Sequence, residues 1–485
     1  MTRELRRSLP PPAGAGDGRR AGAGRLVAAV IPVAAYLAFV LHFGVNAIYW
    51  DDWALMPMVH AALHGHLTFG QLWAPHNENR MLIPNLLFVL LAWAFHLDTV
   101  ATMVLSAAIF IATYLAFLRA ADRYAGRPLR AVEVFGLGAV WFGFEDYENA
   151  LWNFQLAWFL VVALLFVMIL AFSARNPGRR HYAVAAGAAV AASVCSLQGL
   201  ILWPVGLICL AWRHRGRQLL ASAGGWMGLA IITTAVYAWH FQGGVITGGH
   251  GSPGYFYHHP GATFAYMLAI VGNVLPLVGP HLTVHEAVGA ALWLACLWVI
   301  VAEWRRRRPA DQVPVPLPVC LIVFGLAFDG LAAIGRVSFG VSQALSSRYT
   351  LCNLIVLLGI ATHLLGRRPA RRHIAPRPRW SVAMVSVVAV LCVQAGLSDR
   401  VGIAAGGPLR TARIIDARAV VNLNQAPAAQ QVAVIETYSY PSLPALLPLI
   451  ADVRQDRLGT FAPGAYAKYR SEGFPTSVDG PSGHG

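Results

Sequence analysis

The sequence predicts an all-α polytopic membrane protein, a bundle of about 11–13 transmembrane helices with outward juxtamembrane helices and a small extracytoplasmic C-terminal tail. Three observations carry that expectation. Of 485 residues 57% are hydrophobic and only 12% charged, and the mean hydropathy is +0.55, too apolar for a soluble domain of this length. Apolar stretches near the ~20 residues needed to cross a bilayer recur along the whole chain. The basic residues fall in short clusters between those stretches, not on one domain face.

The clusters "RRSLPPPAGAGDGRR", "RAADRYAGRPLR", "RNPGRR", "RHRGR", "RRRRP" and "RRPARRHIAPRPR" all become cytoplasmic under the positive-inside rule. Topology therefore accounts for the net charge of +15, and no nucleic acid is expected as a partner. The chain is expected in the cytoplasmic membrane, with its polar outer loops, and hence any active site, on the extracytoplasmic side.

Residues 1–24, which include "PPPAGAGDGRRAGAG", read as a disordered basic cytoplasmic start. The membrane domain covers 25–397. Its first stretch, "RLVAAVIPVAAYLAFVLHFGVNAI", lacks a small-residue cleavage site and is expected to be retained. Spans follow near 27–48, 98–118, 131–144, 150–172, 182–198, 200–212, 219–240, 284–302, 315–334, 347–365 and 380–397. Two further apolar pieces, 82–96 and 262–279, would break the alternation of sides and read as interfacial or re-entrant helices. The outer loop 49–81 follows the first span. Residues 398–485 form the tail, in which "QQVAVIETYSY" reads as a strand and "PALLPLIADVRQDR" as a helix of a small cap. Cys195, Cys209, Cys296, Cys320, Cys352 and Cys392 lie singly in apolar segments, so neither a disulfide framework nor a cysteine metal site is suggested.

Polar residues gather in four outward segments: the first loop, "EDYENALWNFQ" at 145–155, "FQGGVITGGHGSPGYFYHHPGAT" at 241–263, and "GRVSFGVSQALSSRY" at 335–349. A site built from distant loops at one end of a helical scaffold suits a membrane enzyme with an external aqueous active site. Asp51 and Asp52 emerge at the end of the first span, where one carboxylate could take a proton from a sugar hydroxyl; they could equally be an interfacial pair between the belt residues Trp50 and Trp53. Adjacent side chains diverge, so a Mg²⁺ or Mn²⁺ ion would need a further group to complete its shell.

"HNENR" concentrates His76, Glu78 and Arg80 in five positions. His76 or Glu78 could orient an acceptor hydroxyl and Arg80 could bind a phosphate oxygen, or Glu78 and Arg80 could simply pair to end a helix. Before residue 397, Arg80, Arg336 and Arg348 are the arginines that fall in outer loops. Arg336, and Arg348 with its neighbour Tyr349, could meet the phosphate of a lipid carrier, although snorkelling also explains an arginine there. Glu145, Asp146, Glu148, Trp152 and Gln155 combine carboxylates, an amide and an aromatic face, a mixture suited to sugars and equally to a polar turn. His60 and His64 would share a face if 54–66 is helical, but no spacing among His60, His64, His66, His258 and His259 matches a zinc signature.

The acid pair in "YWDDW" directly after an N-terminal span, a loop running on to "HNENR", and about a dozen spans together resemble the GT-C superfamily of integral membrane glycosyltransferases. The resemblance is most specific over 25–95 and architectural to 397. It implies transfer of a sugar from a polyprenyl-phosphate donor to a lipid, glycan or protein acceptor outside the membrane. It also implies that Asp51 or Asp52 is the base and that Arg348, Arg336 or Arg80 holds the carrier phosphate. The chain has adjacent acids where metal-dependent members have a spaced pair. A transporter or flippase of lipid-linked or small solutes, and a surface-glycan polymerase or ligase, are the rival readings. A transporter would place its ionisable residues within the spans, where this chain has few, Asp329 and Glu133 among them.

Overall fold

Residues 15–241, 254–277, 279, 281–307, 315–366 and 382–475 are described by a computed structural model of the chain. The glycine-rich stretch after Phe241 and the basic run 367–381 lie outside them. Helix α1 (Ala15–Phe43) leads to a 3-10 turn (Trp50–Leu55), α2 (Met56–Leu63) and α3 (Phe69–Trp73). A hairpin of β1 (Pro75–His76) and β2 (Asn79–Arg80) follows, then α4 (Leu82–Phe95), α5 (Thr99–Ala125) and α6 (Ala131–Trp141). Next come α7 (Tyr147–Ala150), α8 (Leu156–Phe172), α9 (Arg179–Ser193), α10 (Leu202–Arg213) and α11 (Gly216–Ala238). After α12 (Tyr255–His258) and α13 (Pro260–Gly272) run α14 (Leu282–Arg306), α15 (Leu317–Arg336), α16 (Ser347–Leu365) and α17 (Val382–Val421). Three helices, α18 (Ala428–Tyr438), α19 (Leu443–Gln455) and α20 (Pro463–Glu472), complete the described chain.

Among the described residues the fold is thus all-α apart from one short hairpin. Eight helices among the described residues are long and apolar enough to cross a membrane. The stretches expected as spans at 131–144, 182–198 and 200–212 are helices of 11, 15 and 12 residues, short of the ~20 a straight crossing needs. For α6 the reason is visible: the chain breaks at Gly143 and turns its polar residues inward. Glu145, Asp146, Asn149, Asn153 and Gln155 are all buried, so "EDYENALWNFQ" is an internal polar layer and not an exposed loop. Gly402 of α17 makes this possible, because a Cβ there would stand 2.2 Å from the Phe144 carbonyl oxygen.

Among the described residues, two large cores organise the molecule, beside a small cluster of Cys296, Val299, Ile322, Val356 and Ile360. The larger is aromatic, with the Trp141 ring against those of Phe110, Phe117 and Phe166 between α5, α6 and α8. The second joins Trp53, Met56 and Val59 of the first loop and Phe88 of α4 to Val434, Ile435, Leu446 and Ile450 near the C-terminus. Residues 398–421 continue α17 without a break, so the expected boundary after 397 falls inside one 40-residue helix.

Two local expectations are corrected. "QQVAVIETYSY" is helical, not a strand: Val434, Ile435 and Tyr438 form one buried helical face, and that packing overrides their β-propensity. Part of the supposedly disordered start, Ala15–Gly24, is the beginning of α1.

Candidate active site

The first loop opens on a strained turn. Trp50 has φ 45°, a left-handed conformation that costs a bulky residue on the order of 1–3 kcal/mol. Its N–H donates to the Ser439 carbonyl (3.0 Å), and Asp52 Oδ2 accepts from Tyr49 N–H (3.2 Å), closing the turn on both sides. The side chains of the acid pair then part. Asp52 is buried and also accepts from the Asn153 amide (3.0 Å). Asp51 is partly exposed and approaches His76 Nε2 at 3.4 Å.

The two carboxyls are therefore chemically unlike. Burial pushes Asp52 up to about 8, against the lowering effects of the Tyr49 N–H, Arg413 and Asn153, so at neutral pH it carries a proton. A neutral, hydrogen-bonded acid inside the fold is a poor general base, whereas Asp51 is accessible to a substrate. Because they turn to different partners, the pair offers no shared set of oxygens to a divalent ion.

"HNENR" is a hairpin, not a helix end. His76 pairs with Asn79 across an Asn77-Glu78 turn in which Asn77 takes φ 50°, as a tight two-residue loop requires. The turn holds Glu78 out to Arg336 at 2.7 Å, so Glu78 pairs across the bundle rather than with Arg80. Arg80 is buried and donates to three backbone carbonyls, Tyr237 (2.7 Å), Trp73 (2.5 Å) and Trp239 (2.6 Å), with its guanidinium over the Trp73 and Phe241 rings. Arg80 ties the loop to α11 with donors that a phosphate would otherwise take.

Arg348 stands at the N-terminus of α16. Its N–H donates to Glu148 (3.0 Å), which also accepts from Ser346 (2.9 Å), and its carbonyl accepts from Asn149 (2.7 Å). Its guanidinium is within electrostatic reach of Asp51 and Glu148 and sits 5.6 Å from the centre of the Tyr349 ring. Its Nε is buried without a hydrogen-bond partner among the described residues.

Around these groups lie the remaining candidates. Trp152 is buried against Tyr49, ring centres 5.7 Å apart, and Phe154 approaches His76 at 4.9 Å. Gln155 is buried, as is Tyr349, which faces Trp158 at 6.4 Å. Asp146 accepts from Asn149 (2.5 Å) and Glu145 from Gln394 (2.7 Å), and burial raises both acids.

The structure thus joins Asp51 with His76, Glu78 with Arg336, and Glu148 with the backbone of Arg348, all at one end of the bundle. It also shows Asn149, Asn153, Ser346, Gln394 and Arg413 supporting them, residues whose amide, hydroxyl or lone basic character gives no spacing to find. A cleft of 710 Å³ lined by Arg175, Tyr182, Arg213 and His214 lies at the opposite end, between α8 and α11, away from this chemistry. Comparison of the chain with family models, with curated proteins and with solved structures returns no match.

Proposed function

We propose that the protein is a membrane glycosyltransferase that takes a sugar from a polyprenyl-phosphate donor and passes it to a lipid, glycan or protein acceptor on the extracytoplasmic side. The observation that carries this reading is that a partly exposed carboxylate, Asp51, lies within electrostatic reach of an arginine from far along the chain, Arg348, whose buried Nε has no hydrogen-bond partner among the described residues. A base and an arginine with an open Nε donor at one end of an apolar bundle suit the two needs of the reaction, proton removal from the acceptor and charge stabilisation on the leaving phosphate.

In the proposed step the acceptor hydroxyl oxygen attacks the anomeric carbon and its proton passes to Asp51. The bond between that carbon and the lipid phosphate breaks, and the phosphate leaves with the electron pair toward Arg348 and Arg336. One displacement inverts the anomeric centre. His76, 3.4 Å from Asp51, orients the carboxylate, and Glu148 fixes the start of α16 so that Arg348 faces the phosphate. The test is mass spectrometry of membrane lipids and surface glycans from cells with and without the protein. Loss of one sugar decoration with build-up of its polyprenyl-linked donor supports transfer, and unchanged glycans with altered solute uptake overturn it.

One observation favours the transporter reading. Asp329, within α15, is fully buried, with the Asn353 side chain as its polar neighbour and no basic residue paired with it among the described residues. An ionisable group inside a span is the usual mark of an ion or proton path. Solute uptake by an Asp329→Asn variant separates the two.

A further inference from the structure

Away from the candidate active site, the helix end at His64 meets the end of α19. His60 and His64 lie four residues apart on α2, so both imidazoles leave the same face, ring centres 4.4 Å apart. Asp456 follows α19, its N–H fixed to the Asp452 carbonyl at 2.9 Å. Each of its oxygens faces one ring: Oδ2 stands 2.7 Å from His60 Nδ1 and Oδ1 2.9 Å from His64 Nε2.

The geometry points to a binding site for a first-row divalent metal, Zn²⁺ in particular, held by His60, His64 and Asp456. Two neutral nitrogen donors and one carboxylate, all with donor atoms within 4.8 Å of one another, are the ligand set of a three-coordinate protein site that leaves one position for water. His64 is the outer member, its side chain 40% exposed, so the open position faces solvent and an ion has a way in. Asp456, its side chain only 5% exposed, anchors the inner side.

At bonds of about 2.1 Å, tetrahedral donors stand roughly 3.4 Å apart, so on metal entry the carboxylate draws back from its two close ring contacts while the donor atoms, all within 4.8 Å of one another, gather around the ion. The nitrogen facing Asp456 in each ring gives up its hydrogen, which moves to the other ring nitrogen or, from a doubly protonated ring, to water. Such an ion would clasp the first outer loop region to the C-terminal helices, which already share one core. The inference is independent of the sugar-transfer reading.

The test uses the full chain purified in detergent without a polyhistidine tag, stripped with EDTA and dialysed against micromolar ZnCl₂. Metal analysis is expected to find one zinc per chain in the wild type and in His66→Gln, and less than a tenth of that in Asp456→Asn and in the double variant H60Q/H64Q. Zinc is expected to raise the melting temperature of the wild type and of His66→Gln only, with melts in EDTA showing whether each variant is folded. Cobalt loading is expected to give the visible absorption band of a four-coordinate site in the wild type and to lose it in Asp456→Asn. Zinc that washes out of the folded wild type, or equal zinc in the folded double variant, overturns the site and leaves Asp456 as a hydrogen-bonded tie between two histidines.

Discussion

Glu78 and Arg336 are joined at 2.7 Å across 258 residues of sequence, and their contact draws the tip of the first-loop hairpin onto the end of α15. Both side chains are partly exposed, so the pair is worth about 1 kcal/mol or less in stability. Its main effect is positional. Glu78→Gln and Arg336→Ala are each expected to leave the melting temperature within a few degrees of wild type yet to raise the donor KM. A double-mutant cycle on transfer rates is expected to show coupling, and additive effects would separate the hairpin from donor binding.

Asp51 and Asp52 are adjacent and should behave oppositely. Asp51→Asn is expected to lower transfer by roughly 10²- to 10⁴-fold, the usual contribution of a general base, with the fold intact by circular dichroism. Asp52→Asn retains a hydrogen-bonding side chain in a site that already holds a neutral acid, and is expected to keep most of the activity. Full transfer by a folded Asp51→Asn variant would remove Asp51 as the base.

The raised position of Asp52 carries a pH signature. The folded state holds its proton up to about pH 8, whereas the unfolded chain releases it near 3.8. Between those values the native state binds more protons, so this group lowers stability as pH rises, by up to about 1.4 kcal/mol per pH unit, and the loss is complete above about 8. Denaturation of wild type and Asp52→Asn at pH 5 to 9 should show the variant gaining on the wild type as pH increases. A constant difference would mean that Asp52 is ionised in the fold.

Arg348 is expected to act on the donor. Arg348→Ala should reduce transfer by about 10²-fold, with the larger part in kcat if the guanidinium meets charge that grows as the phosphate leaves. Arg348→Lys should recover only part, since a point charge replaces a planar fork. A donor titration in membranes reads both terms.

Arg80, in contrast, should be a stability residue. Its removal leaves the carbonyls of Trp73, Tyr237 and Trp239 without their donor and opens the stack on Trp73. Arg80→Ala is expected to destabilise by about 3 kcal/mol, read as a lowered midpoint in thermal unfolding. Arg80→Lys should help little, because one ammonium cannot face three diverging carbonyls.

Much of this was legible beforehand because it rests on local signals. Apolar runs revealed the all-α fold, and a paired acid beside tryptophans marked Asp51 and Asp52 alike, without the difference in burial that separates them. Arg348 stood apart from the basic clusters of the sequence. Arg80 was misleading for a physical reason: its acceptors are backbone carbonyls, present at every residue and so without any sequence signature. Glu78 was similarly opaque, since its partner lies in another loop. The helix at 428–438 was hidden because valine and isoleucine fit both periods, and only the packed face decides between them. Asp456 could not be tied to His60 and His64 before the fold brought α19 over α2.

The 40-residue α17 is about 60 Å long, roughly twice the hydrocarbon thickness of a bilayer. Its far half carries Arg413, which lies over the Tyr49 ring, and leads to Ser439, whose carbonyl holds Trp50 in its strained turn. The first loop is made early in translation, but the groups that set its shape are made late. A ribosome most of the way along this message has therefore made a first loop whose strained turn still lacks its clasp, and that turn is held only when the closing helices fold back onto the opening ones.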